Sequence, residues 1–412
     1  MICAVRLYAA AGQVSKMSEE TIRSCFPIFS HNKNLVYLDN AATSQKPEAV
    51  VQRIERYYSF ENANIHRGNY PLSNRASEEY DMSKETVRSW IGAESSAEIV
   101  YTKSSTEAVN LAAFGLEPYL DSKQNIVTTE LEHSSNFFPW KELCRRTGAQ
   151  LRIAKAEPDG FLKTESVLEQ IDTHTKLLAI TGMSNVTGYC PDLERIIPEA
   201  HRQGALVFVD ATQMIVHHPL SVKDLGCDLL SFSSHKIYGP MGLGVLYGKR
   251  ELLEKMRPLL YGGDMVMRGD EDKILYKTDS GKFEGGTQNI AAALGLQAAL
   301  DFLKEHHFEK LLEQEQALAV YTREELKKLP HIHLLNPQID SPILIFETDR
   351  LGAYDVGTLL GLKNIAVRCG SHCAYPLMKR MNRQSICRVS FAVYNTKEDA
   401  DKLIAAAANL VK

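Results

Sequence analysis

The strongest constraint on this chain's fold is a rhythm in its middle, where short β-rich runs alternate with helix-like stretches. Residues 98–102 (EIVYT) lead into a helical pattern at Thr106–Phe114, and residues 125–129 (NIVTT) into another at about 135–147. Three more runs, 177–181 (LLAIT), 206–210 (LVFVD) and 229–233 (LLSFS), repeat it, with a helical stretch at 192–203 between the first two. Such alternation implies right-handed crossovers and a mostly parallel sheet with helices on both faces. It predicts an α/β domain over residues 36–300.

The pattern changes near residue 300. Residues 290–328 read as one long amphipathic helix, followed by Pro330, a strand-like SPILIF (341–346) and a helix near 354–361. After the loop RCGSHCAYP come a strand, CRVSFAVY (387–394), and a last helix from about Lys397. This predicts a smaller α+β domain over 301–412, with residues 1–35 an N-terminal segment packing against it. The first sixteen residues hold two basic and no acidic side chains, and Arg6 interrupts their apolar stretch. They read as an ordinary or mis-started terminus, with a targeting segment as the alternative.

A net charge of −4 argues against nucleic acid as a main partner, because neutralising phosphates needs a basic excess or patch. No apolar run approaches the roughly 18 residues of a membrane-spanning helix. The eight cysteines form no CxxC pair and are too sparse for a disulfide scaffold, so free thiols in a reducing, cytoplasmic setting are expected. No metal site is expected.

Chemistry concentrates at the ends of the apolar runs. Asp210 closes LVFVD, and the next run delivers His235 and Lys236 to the same sheet edge, where open α/β sheets bind ligands. A lysine leaving a buried strand is desolvated, which lowers its pKa and suits it to a Schiff base. An aspartate beside it could keep the ring nitrogen of pyridoxal phosphate protonated. Alone, Lys236 reads as a solvated loop lysine and Asp210 as a helix cap. The following YGPMGLG is a turn whose glycines allow close backbone approach.

Upstream, TKSSTEAVN (102–110) opens a helix with Ser104, Ser105 and Thr106 beside free backbone N–H groups. That end can hold an anion, and Ser104 with Glu107 also has capping-box spacing. His133, Asn185 and Gln213 sit at other run ends as candidate polar contacts or plain turn residues. Cys373 lies in a glycine-bearing loop with Arg368 and His372 nearby, cations that would favour its thiolate. Arg388, on an apolar run, needs either a carboxylate ligand or a structural ion pair.

In order, YLDNAATSQKP, NANIHRG, EHSSNFFPW, SNVTG, VFVDATQ, SSHKIYGPMGLGVLYG, FEGGTQN, RCGSHCAYPLM and CRVSFAVYNT resemble the class V aminotransferase-like family of fold-type I pyridoxal phosphate enzymes. Within it the chain is similar to SUF-type (group II) cysteine desulfurases, from about Leu35 to the C-terminus. The resemblance implies a seven-stranded, mostly parallel sheet in the large domain. It makes Lys236 the cofactor-linked lysine and proton carrier, Asp210 the partner of the ring nitrogen, and His133 the residue stacked on the ring. Ser105, Thr106, Ser233 and His235 would hold the phosphate, and Gln213 the ring oxygen. Thr287 would reach the neighbouring subunit's phosphate in a homodimer. Arg388, Asn185, Arg368 and His66 would bind substrate, and Cys373 would be the nucleophile.

The implied activity converts L-cysteine to L-alanine and leaves a persulfide on Cys373. A SUF-pathway acceptor protein would then collect the sulfur for iron–sulfur cluster assembly. The chain departs from the family pattern at Tyr70, Ser104, Gln288, Cys369 and Ser371. Cleavage of L-selenocysteine or cysteine sulfinate, another class V aminotransferase or lyase reaction, and a non-catalytic scaffold remain as alternatives.

Overall fold

The computed structural model describes residues 19–410, so the reading of residues 1–16 as a terminus or targeting segment lies outside the described residues. Seven strands form the main sheet in the order Ile99–Thr102, Gly244–Gly248, Leu229–Ser233, Leu206–Asp210, Thr175–Thr181, Asn125–Thr129, Gln150–Ala154. Gly244–Gly248 is antiparallel to both neighbours, and every other pairing is parallel. Side chains alternate between two apolar cores, one on each face. Val207 and Val209 enter one, whereas Phe208 enters the other and meets Trp140 edge-on at 5.3 Å. Burial on both faces explains why these strands read as unbroken apolar runs.

Six strands run parallel, and five of them bring their ends to the site's edge, at Thr102, Thr129, Thr181, Asp210 and Ser233. Their following loops therefore meet in one crevice.

A second sheet, ordered Ile332–Leu334, Ile343–Thr348, Ile386–Ser390, Arg368–Gly370, is antiparallel throughout. Helices Phe308–Lys327 and Lys397–Ala407 share its apolar core, the latter started by a Thr396–Asp399 capping box. The helix Ile290–Glu305 crosses residue 300 and packs on Glu48–Arg56 and Pro71–Ile91. Arg23 pairs with Asp399 at 2.8 Å, and buried Phe26 stacks edge-on with Tyr238, Phe302 and Tyr394.

Two expected elements are corrected. The stretch 290–328 is two helices, Ile290–Glu305 and Phe308–Lys327, broken where His307 takes a left-handed φ of 57°. The strand expected to reach residue 394 ends at Ser390, whose hydroxyl accepts from Ala41 N–H at 2.8 Å. A turn follows, in which Asn395 Oδ1 accepts the Ala392 N–H at 2.9 Å.

Candidate active site

The loops at the sheet edge and the small sheet enclose a cavity of about 320 Å³. Every residue expected at the site lines it except Thr287 and His66. Those two are exposed, and His66 borders a separate 190 Å³ cavity with Lys84 and Glu284.

Asp210, buried at the end of its strand, accepts the Thr212 N–H at 3.0 Å and the Thr212 hydroxyl. Burial raises its carboxyl above the ordinary carboxylate value. Lys236 ends a short turn after Leu229–Ser233. Desolvation first, and then the Arg388 charge, brings its amine down to about 8. The turn is held from behind: the His235 carbonyl lies 2.9 Å from Lys46 Nζ and 3.1 Å from Ser44 N. Gln213 donates to the Ala41 carbonyl at 2.8 Å, fastening the same 41–46 segment.

At the helix Ser105–Leu116, Ser104 caps by accepting from Glu107 N–H at 3.2 Å, while Glu107 accepts from Lys103 rather than from Ser104. The Ser105 N–H donates to Ser233 Oγ at 2.9 Å. Thr106 Oγ1 meets Ser135 Oγ at 2.7 Å, and Ser135 lies 3.0 Å from His133 Nδ1. Because the Ser135 N–H also donates to Nδ1, that nitrogen is an acceptor and the ring proton sits on Nε2. Burial, Lys236 and Arg388 hold His133 near 4, and burial with Lys236 and Lys46 does the same to His235. Both rings are neutral at pH 7.

Arg388 is 2% exposed and donates Nη1 to the Asn185 carbonyl at 2.7 Å. Burial lowers it to about 10, and Asp39 stands 3.5 Å from Nη2. Arg368 also lines the cavity, but its guanidinium grips Asp39 in a bidentate pair at 2.8–3.1 Å. Among the described residues that line the cavity, Arg388 Nε, Asn185 Oδ1 and His372 Nδ1 are buried without a partner. Buried polar atoms are ordinarily satisfied, so these orphaned atoms leave polar contacts for a ligand to make.

Cys373 is exposed and lines the same cavity. It and His372 take consecutive left-handed φ values of 53° and 52°, a strained pair for non-glycine residues. Asn185 Nδ2 holds the His372 carbonyl at 2.9 Å, and Ser134 holds the Cys373 carbonyl. Just beyond, Arg380 pairs with Glu130 at 2.7 Å.

Sequence reasoning missed Asp39, Ser135 and Thr212. Asp39 had a signal, standing within YLDNAAT at the end of a β-like run, but its two arginines lie more than 300 positions away.

The cavity suits pyridoxal phosphate: a desolvated lysine beside a buried carboxyl, serines and a threonine at a helix N-terminus, and unpartnered Asn185 Oδ1. Known proteins agree with this reading. The family model for class-V aminotransferases matches residues 36–403. A probable cysteine desulfurase from Halalkalibacterium halodurans is 41% identical over 94% of this chain and 96% of its own length. A cysteine desulfurase from Klebsiella pneumoniae is 39% identical over 94% and 97%. Among solved structures, a cysteine desulfurase of Escherichia coli superposes with a TM-score of 0.89 at 37% identity, covering 95% of this chain and 98% of that one. The apo structure of the Thermococcus onnurineus enzyme gives a TM-score of 0.92 at 33% identity over 97% and 99%. The chain therefore belongs to the class-V aminotransferase family of pyridoxal phosphate enzymes, among its cysteine desulfurases.

Proposed function

We propose that this protein is a SUF-type, cytoplasmic cysteine desulfurase that releases L-alanine from L-cysteine and stores the sulfur as a persulfide on Cys373. The observation carrying this is that Lys236, Arg388 and Cys373 face one cavity. When bound, pyridoxal phosphate supplies an electron sink that stabilises negative charge on the carbon bearing the amino group.

The side chains divide the remaining work. Asp210 and Gln213 would hold the ring edge, and Ser105, Thr106, Ser233 and His235 would hold the phosphate. Neutral His133 would lie against the ring. Arg388 receives the substrate carboxylate through its unpartnered Nε, while the Asn185 amide oxygen is free to accept from an N–H or O–H donor of the bound molecule. Arg368 keeps Asp39 occupied, which leaves more of Arg388 for the carboxylate. Because its amine lies near 8, Lys236 has a substantial neutral fraction and can take and return the substrate's Cα proton.

The Cys373 thiolate attacks the substrate sulfur. An S–S bond forms as the Cβ–S bond breaks, and protonation of the remaining three-carbon fragment gives alanine. In this reading, residues 36–300 form the cofactor domain. The described part of 301–412, residues 301–410, presents the Cys373 loop, and residues 19–35 buttress it.

The same reading makes the protein a homodimer. Tyr261, Met267, Ile274 and Leu275 are exposed, and the Gly286 N–H bonds the Gly263 carbonyl at 2.9 Å, which ties the segment bearing Thr287 to the one bearing Tyr261. Covering such a surface with a second copy would bring Thr287 toward the partner's cavity. The sulfur then passes to an acceptor protein for iron–sulfur cluster assembly.

Alanine release from L-cysteine, with and without a thiol reductant, tests this on wild type and Cys373→Ser together. Release by wild type, lost in the variant while cofactor absorbance remains, is the expected result. Bound cofactor with no alanine from either protein would overturn the reading.

A further inference from the structure

The strands that carry Arg368 and Arg388 carry a second cross-strand pair. Arg368 lies opposite Arg388, and one step along the ladder Cys369 lies opposite Cys387. Successive side chains point to opposite faces, so the arginines turn toward the cavity and the cysteines toward the core under the small sheet. Both thiols are free. Directly opposed residues in an antiparallel pair have Cα atoms about 4.5–5.5 Å apart, inside the roughly 4.4–6.8 Å that a disulfide spans.

Gly357 makes room for the Cys369 sulfur: a Cβ there would come within 2.7 Å of Sγ. Cys369 is half-buried, whereas Cys387 is 1% exposed.

We propose that Cys369 and Cys387 form a reversible disulfide that tethers the root of the Cys373 loop and slows the enzyme under oxidising conditions. This rests on the desulfurase reading only for its effect on rate; the bond itself is independent of it. The exchange balances with a low-molecular-weight disulfide such as oxidised glutathione. The half-buried Cys369 thiolate attacks one glutathione sulfur, forming a mixed disulfide and expelling one glutathione thiolate. The Cys387 thiol then loses its proton and attacks the Cys369 sulfur, releasing the second glutathione. Two protein thiols are oxidised and one disulfide is reduced to two thiols.

The order of attack follows from exposure. The facing Cys387 thiol lowers Cys369, whereas the pairing and burial raise Cys387 well above the usual thiol value. The thiolate therefore forms on the sulfur that an oxidant reaches first. The bond would link Arg368–Gly370 to Ile386–Ser390 three residues before His372, in the segment that sets both arginines on Asp39.

The test uses the full-length, cofactor-loaded protein. In Cys373→Ser, which removes the competing exposed thiol, oxidised glutathione should lower the intact mass by two hydrogens. Peptide mapping should find residue 369 linked to residue 387, and Cys369→Thr should abolish that link. Persistent free thiols, a stable glutathione adduct on Cys369, or linkage to another cysteine would overturn the proposal. With Cys373 present, alanine release should fall severalfold further on oxidation in wild type than in Cys369→Thr, where only the exposed Cys373 can react, and should recover with dithiothreitol. If the disulfide forms but the rate is unchanged, the bond stands and its regulatory part is wrong. If reduced protein releases no alanine at all, the desulfurase reading fails while the mass result still decides the bond. Matching melting curves of Cys369→Thr and wild type exclude misfolding as the cause.

Discussion

Ser134 holds the carbonyl oxygen of Cys373 with both of its donors, the backbone N–H and the hydroxyl, each at 2.7 Å. Ser134 directly follows His133 and begins the helix Ser134–Thr147, so the cysteine loop is anchored to the same helix end that places the imidazole. Two hydrogen bonds on one carbonyl help hold the left-handed φ values at His372 and Cys373.

Ser134→Ala removes one of these donors and keeps the backbone bond. A single exposed hydrogen bond contributes about 0.5–1.5 kcal/mol, so the melting temperature should barely move. The loop itself should loosen, and a Cys373 persulfide should be reduced faster by small thiols. Alkylation followed by mass detection over time reads this; an unchanged persulfide lifetime would show that the bond does not restrain the loop.

How much of this was legible follows residue class. Asn125–Thr129, Leu206–Asp210 and Leu229–Ser233 were readable to the residue, because strands buried on both faces must be continuously apolar. The edge that gathers Lys236, Asp210 and His133 follows from parallel topology alone. The break at His307 was not legible, since no glycine or proline marks it and the amphipathic pattern runs on into Phe308–Lys327. Nor was Asp39 as the shared partner of two arginines, because an ion pair between distant segments leaves no local periodicity. The glycine turn after Lys236 was visible as a turn, but its necessity is tertiary.

Lys236 should react as a neutral amine far more readily than an ordinary lysine. At pH 7 a group near 8 has roughly 300-fold more neutral amine than one at 10.5. Cofactor uptake by the apo-protein should therefore rise with pH and level off above about 8. Arg388→Leu removes a cation that holds Lys236 down, so the midpoint should shift to higher pH. The linkage has a definite sign. Between about 8 and 10.5 the unfolded chain carries a proton on this lysine that the folded chain does not, so this contribution to apo-protein stability improves as pH rises. It is least favourable below 8. A midpoint that stays put in Arg388→Leu would show that the arginine does not set the lysine's charge.

Arg388→Ala should weaken substrate handling through kcat/KM. A buried guanidinium paired with a carboxylate is typically worth about 2–4 kcal/mol, on the order of 30- to 10³-fold. Arg388→Lys keeps the charge but loses the planar fork, so it should recover only part of that loss. Arg368→Ala frees Asp39 to bind Arg388 more tightly, and KM should rise with a smaller change in kcat. Steady-state alanine release across the three variants distinguishes these cases. Equal losses in all three would mean the arginines act as one cluster rather than as ligand and support.

The closest approach of a glycine to backbone at the site is at Gly244, the first residue of the strand Gly244–Gly248. In the sheet it sits between Thr102 and Ser233, which lead into the serine-bearing helix end and the Lys236 turn. A Cβ at this position would lie 2.2 Å from the Ser104 carbonyl carbon and 2.6 Å from its Cα. These are backbone atoms, which cannot swing aside as a side-chain tip could. Gly244→Ala must therefore push the Ser104–Thr106 turn away from Ser233 or spread the strands. Overpacking of this kind costs about 1–3 kcal/mol. Relative to that stability loss, cofactor retention should suffer more, because the displaced N–H of Ser105 and hydroxyl of Thr106 are the groups assigned to the phosphate. Thermal melts of apo and loaded protein separate the two effects. The loaded form should lose more of its stabilisation by cofactor than the apo form loses in intrinsic stability, and equal shifts would show that the close approach serves the sheet alone.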